Sequence, residues 1–171
     1  MRLALFQPDI PQNTGAMIRI CACFDVGLDI IHPTGYIFNE KNIKQAALDY
    51  VESVSLKEYD SWDLFLENNK DKRIILLSTK GKVRYTEFDF KKDDFLLVGR
   101  ESAGVPDKVF NSVHEVITIP MSENSRSLNV AVSAGIVIAE SRRQLEKGQL
   151  NKKKFHESGL RNSEMKLLKL S

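Results

Sequence analysis

The residues of this chain that could do chemistry lie in three short polar segments. The first runs from Pro11-Gln12-Asn13-Thr14-Gly15 to Arg19. The second is Gly99-Arg100-Glu101-Ser102-Ala103-Gly104-Val105-Pro106, and the third runs from Ile119-Pro120-Met121 through Ser125-Arg126-Ser127-Leu128-Asn129. Glycines at 99 and 104 have the spacing that opens a phosphate-cradling loop. Val105-Pro106 stands where that loop needs Lys and Ser/Thr, so neither the phosphate-binding cation nor the magnesium ligand is there. The dinucleotide pattern G-x-G-x-x-G is missing from the first strand-helix turn, which speaks against a nicotinamide-dependent oxidoreductase. Cys21 and Cys23 sit two apart in a helical segment and therefore point in different directions. With only three scattered histidines, neither a disulfide nor a metal framework is expected. What remains is a set of segments rich in backbone donors, with Glu101 held between two glycines.

Each side chain also has a plainer role. Asn13 and Ser127 are types that cap helices. Arg19, between Ile18 and Ile20, is also what a surface charge or half of an ion pair looks like. Glu101 equally suits a solvated turn. Taken singly, none of them decides the matter.

The elements that must position these segments alternate along the chain. Arg2–Phe6 reads as a buried strand, followed by a Pro-rich turn and a helix from about Asn13 to Asp25. Leu28–His32 reads as a strand, Asn42–Leu48 and Trp62–Asn68 as helices, and Arg73–Leu77 and Phe95–Val98 as strands. A short helix near Pro106–Asn111, a strand at Val116–Ile119 and a helix from about Ser127 complete the series. That last helix is apolar on nearly every side from Val130 to Ala139, which calls for burial. Alternation of this kind predicts an α/β domain with a mainly parallel sheet, and all three polar segments follow strand ends, where such sheets place ligands.

With 171 residues, 42% of them hydrophobic, the chain is long enough for one good core. We expect a single domain over 1–146 and a tail over 147–171. The first apolar stretch, Leu3-Ala4-Leu5-Phe6, is ended by Pro8 and Pro11 and has the length of neither a signal-peptide core nor a membrane span, so a soluble, cytoplasmic protein is expected. A net charge of +2 hides an asymmetry. Lys147 to Ser171 carries seven Lys/Arg against Glu157 and Glu164, whereas the preceding residues carry 18 basic and 21 acidic side chains. A nucleic acid would therefore have to meet a local patch or the tail.

Together the segments resemble the three motifs of the SpoU-type branch of the SPOUT methyltransferases: N-x-G-x-x-x-R at Asn13 to Arg19, G-x-E-x-x-G at Gly99 to Gly104, and the Ile119-Pro120-Met121 to Ser127-Leu128-Asn129 run. Phe6 to Gly15, and His32-Pro33-Thr34-Gly35-Tyr36 through Leu48-Asp49-Tyr50, are similar to the subfamily of tRNA (cytidine/uridine) 2′-O-methyltransferases that modify the wobble nucleotide. The resemblance covers roughly residues 1–145. It departs at Arg100 and Ala103, where that subfamily usually has proline and a basic residue, which bears on substrate rather than on chemistry.

The resemblance implies a Rossmann-like sheet with helices on both faces, its C-terminal part threaded into a deep trefoil knot, and a homodimer packed through the first and last core helices. It implies S-adenosylmethionine as methyl donor, held by Leu77, Ser78, Thr79, Gly99, Ile119, Met121 and Ser127, without metal. Arg19, Asn13, Glu101 and Asn129 are the implied catalytic residues: Arg19 on the target phosphate and hydroxyl, the two asparagines on the ribose or its loop, and Glu101 orienting Arg19 or a partner. Family members are described as using this arginine as general base. A guanidinium with a pKa above ~12 is a poor proton acceptor, so the base is left open. The implied partner is tRNA at its anticodon loop, with neither membrane nor DNA expected. Tyr36, Phe38 and the group Arg126, Arg142 and Arg143 are candidates for the RNA contact. The alternatives are a relative acting on ribosomal RNA or another tRNA position, and a catalytically silent RNA-binding knot protein.

Overall fold

The computed structural model describes residues 1–37 and 48–147. Its framework is a seven-stranded sheet in the order β3-β2-β1-β6-β4-β7-β5. The strands are β1 (Arg2–Phe6), β2 (Gly27–Ile31), β3 (Leu56–Tyr59), β4 (Ile74–Leu77), β5 (Val83–Arg84), β6 (Phe95–Val98) and β7 (Glu115–Thr118). Every described pairing is parallel. Parallel strands need covering on both faces, which explains the near-continuous apolar runs of β1, β4 and β6.

Alternation along the strands divides the core in two. Leu3 and Leu5 of β1 and Leu96 and Val98 of β6 face one side. There they meet Met17, Ile18 and Cys21 of α1 (Pro11–Phe24) and Ala131, Ala134, Val137 and Ile138 of α4 (helical residues 130–147). Ala4, Phe6, Phe95 and Leu97 face the other side. They pack on Trp62 and Phe65 of α2 (Trp62–Asn68) and on Val109 of α3 (Asp107–Phe110). Ser61 starts α2 by accepting a hydrogen bond from Leu64 N–H at 3.2 Å.

Helices α1 and α4 begin differently from expectation. α1 starts at Pro11, with Ile10 at its cap and proline in the first turn, where its missing N–H costs nothing. Asn13 thus lies inside the helix with its side chain free for other work. α4 starts three residues later than Ser127 suggested: Asn129 is its cap, its Oδ1 accepting from Ala131 N–H (2.9 Å) and Val132 N–H (3.2 Å). Nor is α4 buried all round. Ala131, Ala134, Val137 and Ile138 are covered, but Val132 is 52% exposed.

Strands β3 and β5 are additions to the elements read from sequence, as is a 3-10 turn over Leu48–Ser53. The helix expected over 42–48 falls outside the described residues except for its final position. Phe38 and the tail beyond 147 also lie outside them.

The strand order brings the site together. β1 has β2 on one side and β6 on the other, while β7 pairs with the far edge of β4. The loops after β1, β4, β6 and β7 therefore leave the same C-terminal edge of the sheet. This is the crevice where open parallel sheets bind ligands. The strap over 78–94, which links β4 back to β6, packs Tyr85, Phe88 and Phe90 on the α1/α4 face. Gln144 of α4 ties it down, donating to Phe88 O (3.1 Å) and accepting from Phe90 N–H (3.1 Å).

Candidate active site

A cavity of about 470 Å³ opens at this edge, within the range of small-molecule sites. Its walls include Leu77, Ser78 and Thr79 after β4, Gly99 and Glu101 after β6, and Ile119, Met121, Ser127 and Asn129 after β7. Asn13 of α1 completes the polar side. All seven residues expected to hold a donor and three of the four expected catalytic residues thus line one space.

Local geometry explains the shape of the walls. Ser78 N–H donates to Ile117 O (2.9 Å), and Ser78 Oγ accepts from Lys80 N–H (3.2 Å), which turns the chain sharply at the end of β4. After β6, Arg100 and Gly104 exchange backbone hydrogen bonds of 3.0 and 2.9 Å and close a tight turn. Gly104 has φ +68°, a conformation natural to glycine. A Cβ on Gly99 would stand 2.5 Å from the carbonyl carbon of Gly104, so only glycine lets the turn fold back this far.

The polar side chains form one directed network. Asn129 Nδ2 donates to Asn13 Oδ1 (2.9 Å), and Asn13 Nδ2 donates to Glu101 Oε1 (3.0 Å). Glu101 Oε2 accepts from Asp9 N–H (3.2 Å). The Asp9 carboxylate accepts from Glu101 N–H (3.0 Å), Ser102 N–H (3.3 Å) and the Ser102 hydroxyl. Burial raises the Glu101 pKa, and the adjoining Asp9 carboxyl raises it further. Asp9 is pushed the other way, to about 2, first by the adjoining Glu101 carboxyl and then by the Ser102 hydroxyl and the two backbone N–H groups.

Within the single chain Glu101 therefore orients Asn13. Arg19 stands exposed on α1, its guanidinium 5.2 Å from the centre of the Tyr50 ring, and is not among the residues lining this chain's own cavity. Among the residues considered for RNA contact, Tyr36 is half-buried, its hydroxyl donating to Thr14 Oγ1 (2.7 Å). Arg142 donates to Phe24 O and pairs with Glu146, and Arg143 pairs with Glu140. Arg126 is exposed in the third loop. Asp9 joins this network from outside the three motifs. Its partners lie 92 and 93 positions away, and the only local hint is an acid between two prolines.

The profile of the SpoU rRNA Methylase family matches residues 1–139, and the chain belongs to that family. Within it, the chain is similar to the tRNA (cytidine(34)-2′-O)-methyltransferase of Beijerinckia indica, at 46% identity over 84% of this chain and 91% of that protein. A solved chain from work on 2-OH methylation of C/U34 on tRNA superposes with a TM-score of 0.81 at 37% identity, covering 85% of this chain and 96% of the other. An AdoMet-bound rRNA methyltransferase from Sinorhizobium meliloti superposes with a TM-score of 0.76 at 25% identity, covering 84% of this chain and 56% of the other.

Proposed function

We propose that this protein is an S-adenosylmethionine-dependent tRNA ribose 2′-O-methyltransferase acting on the wobble cytidine or uridine of the anticodon loop. The observation that carries this reading is the convergence of Asn13, Glu101 and Asn129 on a cavity walled by the very loops expected to hold the donor. The cavity suits the donor's chemistry. Its backbone-rich walls can meet an adenine and an amino-acid moiety, and Gly99 removes the side chain that would block close approach.

When bound, S-adenosylmethionine supplies a methyl group on a sulfonium, an electrophile that a ribose 2′-oxygen can attack without metal assistance. The protein's part is alignment, which is worth on the order of 7–11 kcal/mol in well-oriented systems. Leu77, Ser78, Thr79, Gly99, Ile119, Met121 and Ser127 form the donor's seat. Asn13 and Asn129, locked to each other, present a fixed polar edge to the ribose. Glu101 fixes Asn13 and, with its raised proton affinity, is a group able to hold a proton at the cavity wall.

Arg19 serves the cavity of a second copy. It stands on the α1 face expected to meet that copy, outside its own cavity, and Val132 of α4 lies exposed in the single chain. There the guanidinium grips the phosphate of the target nucleotide. The same reading expects the C-terminal part to be threaded as a knot, and the contact of α4 with the 78–94 strap through Gln144 is compatible with it. No helix among the described residues is long and apolar enough to cross a membrane, and the protein works on tRNA in the cytoplasm.

The test is methyl transfer to tRNA with Arg19→Ala, Arg19→Lys and Glu101→Gln. Each single variant is expected to lose at least a hundredfold in kcat, and a mixture of Arg19→Ala with Glu101→Gln chains to regain part of it through mixed dimers. Near-normal turnover in both Arg19 variants removes the arginine from the mechanism.

A further inference from the structure

We propose that Asp9 is a positioning residue for methyl transfer, one that sets the catalytic turn and the Glu101 carboxyl from behind without touching substrate. The proposal rests on the methyltransferase reading above and adds to it a residue outside all three motifs.

Asp9 does not line the cavity, yet it holds the turn that does. Three donors of that turn, the N–H groups of Glu101 and Ser102 and the Ser102 hydroxyl, converge on its carboxylate. In return its own N–H donates to Glu101 Oε2. Backbone and side chain of the two acids thus clasp each other in both directions, which fixes Glu101 in position and in rotation. A fixed Glu101 fixes Asn13, and Asn13 fixes Asn129. A network of this kind holds a site within the few tenths of an ångström that alignment demands.

Asp9 is itself braced. Gly35 N–H donates to Pro8 O at 2.9 Å, and a Cβ on Gly35 would come within 2.7 Å of the Asp9 Cβ and 2.9 Å of its Cα. The loop after β2 therefore presses directly on Asp9, and Tyr36 of the same loop bonds Thr14 on α1. The clasp spans the loops after β1, β2 and β6.

The arrangement has an electrostatic side. Glu101 faces the Asp9 carboxylate from the β1–α1 loop, the neutral Asn13 from α1 and the Tyr36 phenol from the loop after β2. The one cation on its own turn, Arg100, has its guanidinium 5.7 Å from the centre of the Phe6 ring. An ionised Asp9 makes Glu101 keep its proton to higher pH than burial alone would. On this reading transfer needs the ionised Glu101, so activity falls as pH drops through the Glu101 pKa. Removing the Asp9 charge moves that limb to lower pH.

The experiment compares the unmodified chain with Asp9→Asn and Ser102→Ala in steady-state transfer to tRNA across pH, with S-adenosylmethionine affinity by calorimetry and thermal unfolding alongside. Asp9→Asn keeps the shape and one acceptor but loses the charge. It is expected to lower kcat at least tenfold with donor Kd and tRNA KM within about threefold, and to shift the acid limb of kcat downward. Ser102→Ala, which removes a single donor and leaves the charge, is expected to lose about two- to fivefold with the limb in place. A kcat within twofold of the unmodified chain in Asp9→Asn, or an acid limb that does not move, overturns the proposal. If Asp9→Asn fails to fold, an unchanged kcat in Ser102→Ala overturns it. Failure of the unmodified chain to methylate tRNA would instead sink the methyltransferase reading, so the two failures are distinguishable.

Discussion

At Gly99 the chain leaves β6 and doubles back, and the carbonyl carbon of Gly104 occupies the space a methyl group would need. Gly99→Ala must therefore push two stretches of backbone apart, an overpacking of the kind that costs about 1–3 kcal/mol. The displaced backbone is also a cavity wall. We expect a lower melting temperature together with at least a tenfold weaker S-adenosylmethionine Kd by calorimetry; a lowered melting point with unchanged Kd would take Gly99 out of the donor site. At this scale the sequence was readable where chemistry sits in contiguous motifs. Asn13, Glu101 and Asn129 could be named as candidates from the motifs and the family resemblance they carry, and they do meet. The sequence left the partner of Glu101 open between Arg19 and another residue; within the single chain Glu101 accepts from Asn13, and the Arg19 guanidinium lies over the Tyr50 ring. Asp9 lies in the Phe6 to Gly15 stretch that carries the resemblance, but what it holds could not be read, because its hydrogen bonds join parts of the chain more than ninety residues apart.

Among the elements, α4 shows how a cap and a site become one object. Asn129 accepts two N–H groups of the first turn of α4 with its oxygen and donates to Asn13 with its nitrogen. Asn129→Ala is therefore expected to lower stability by about 1 kcal/mol through the lost cap and to lower kcat as well. Ser127→Ala, two residues earlier, should leave the urea midpoint unchanged and weaken only donor binding. Equal destabilisation by the two variants would return the cap to Ser127. Sequence favoured Ser127 because serine and asparagine cap equally well and boundaries shift by a residue or two. The long apolar strands were legible from pattern. β3 was not, since Leu56-Lys57-Glu58-Tyr59 is an edge strand with two charged residues paired on one side only, and β5 is only two residues long.

For the whole molecule, the parallel sheet followed from the alternation of elements, but its order did not: nothing in the periodicity of β6 says that it inserts between β1 and β4. That insertion gathers four loops at one edge. The exposed Val132 on α4 marks the face where a second copy is expected. Val132→Glu should yield a monomer by sedimentation velocity with far-UV circular dichroism intact; a variant that remains dimeric would place the interface elsewhere. The asparagine at the head of α4 has a thermodynamic corollary. Because the segment over 119–129 is both a wall of the cavity and the stretch that delivers α4 to the sheet, whatever fills the cavity also fastens α4. By mass action, ligand at a hundred times its Kd adds about 2.7 kcal/mol to the folded state. The cellular supply of methyl donor would then govern how long the enzyme survives as well as how fast it works.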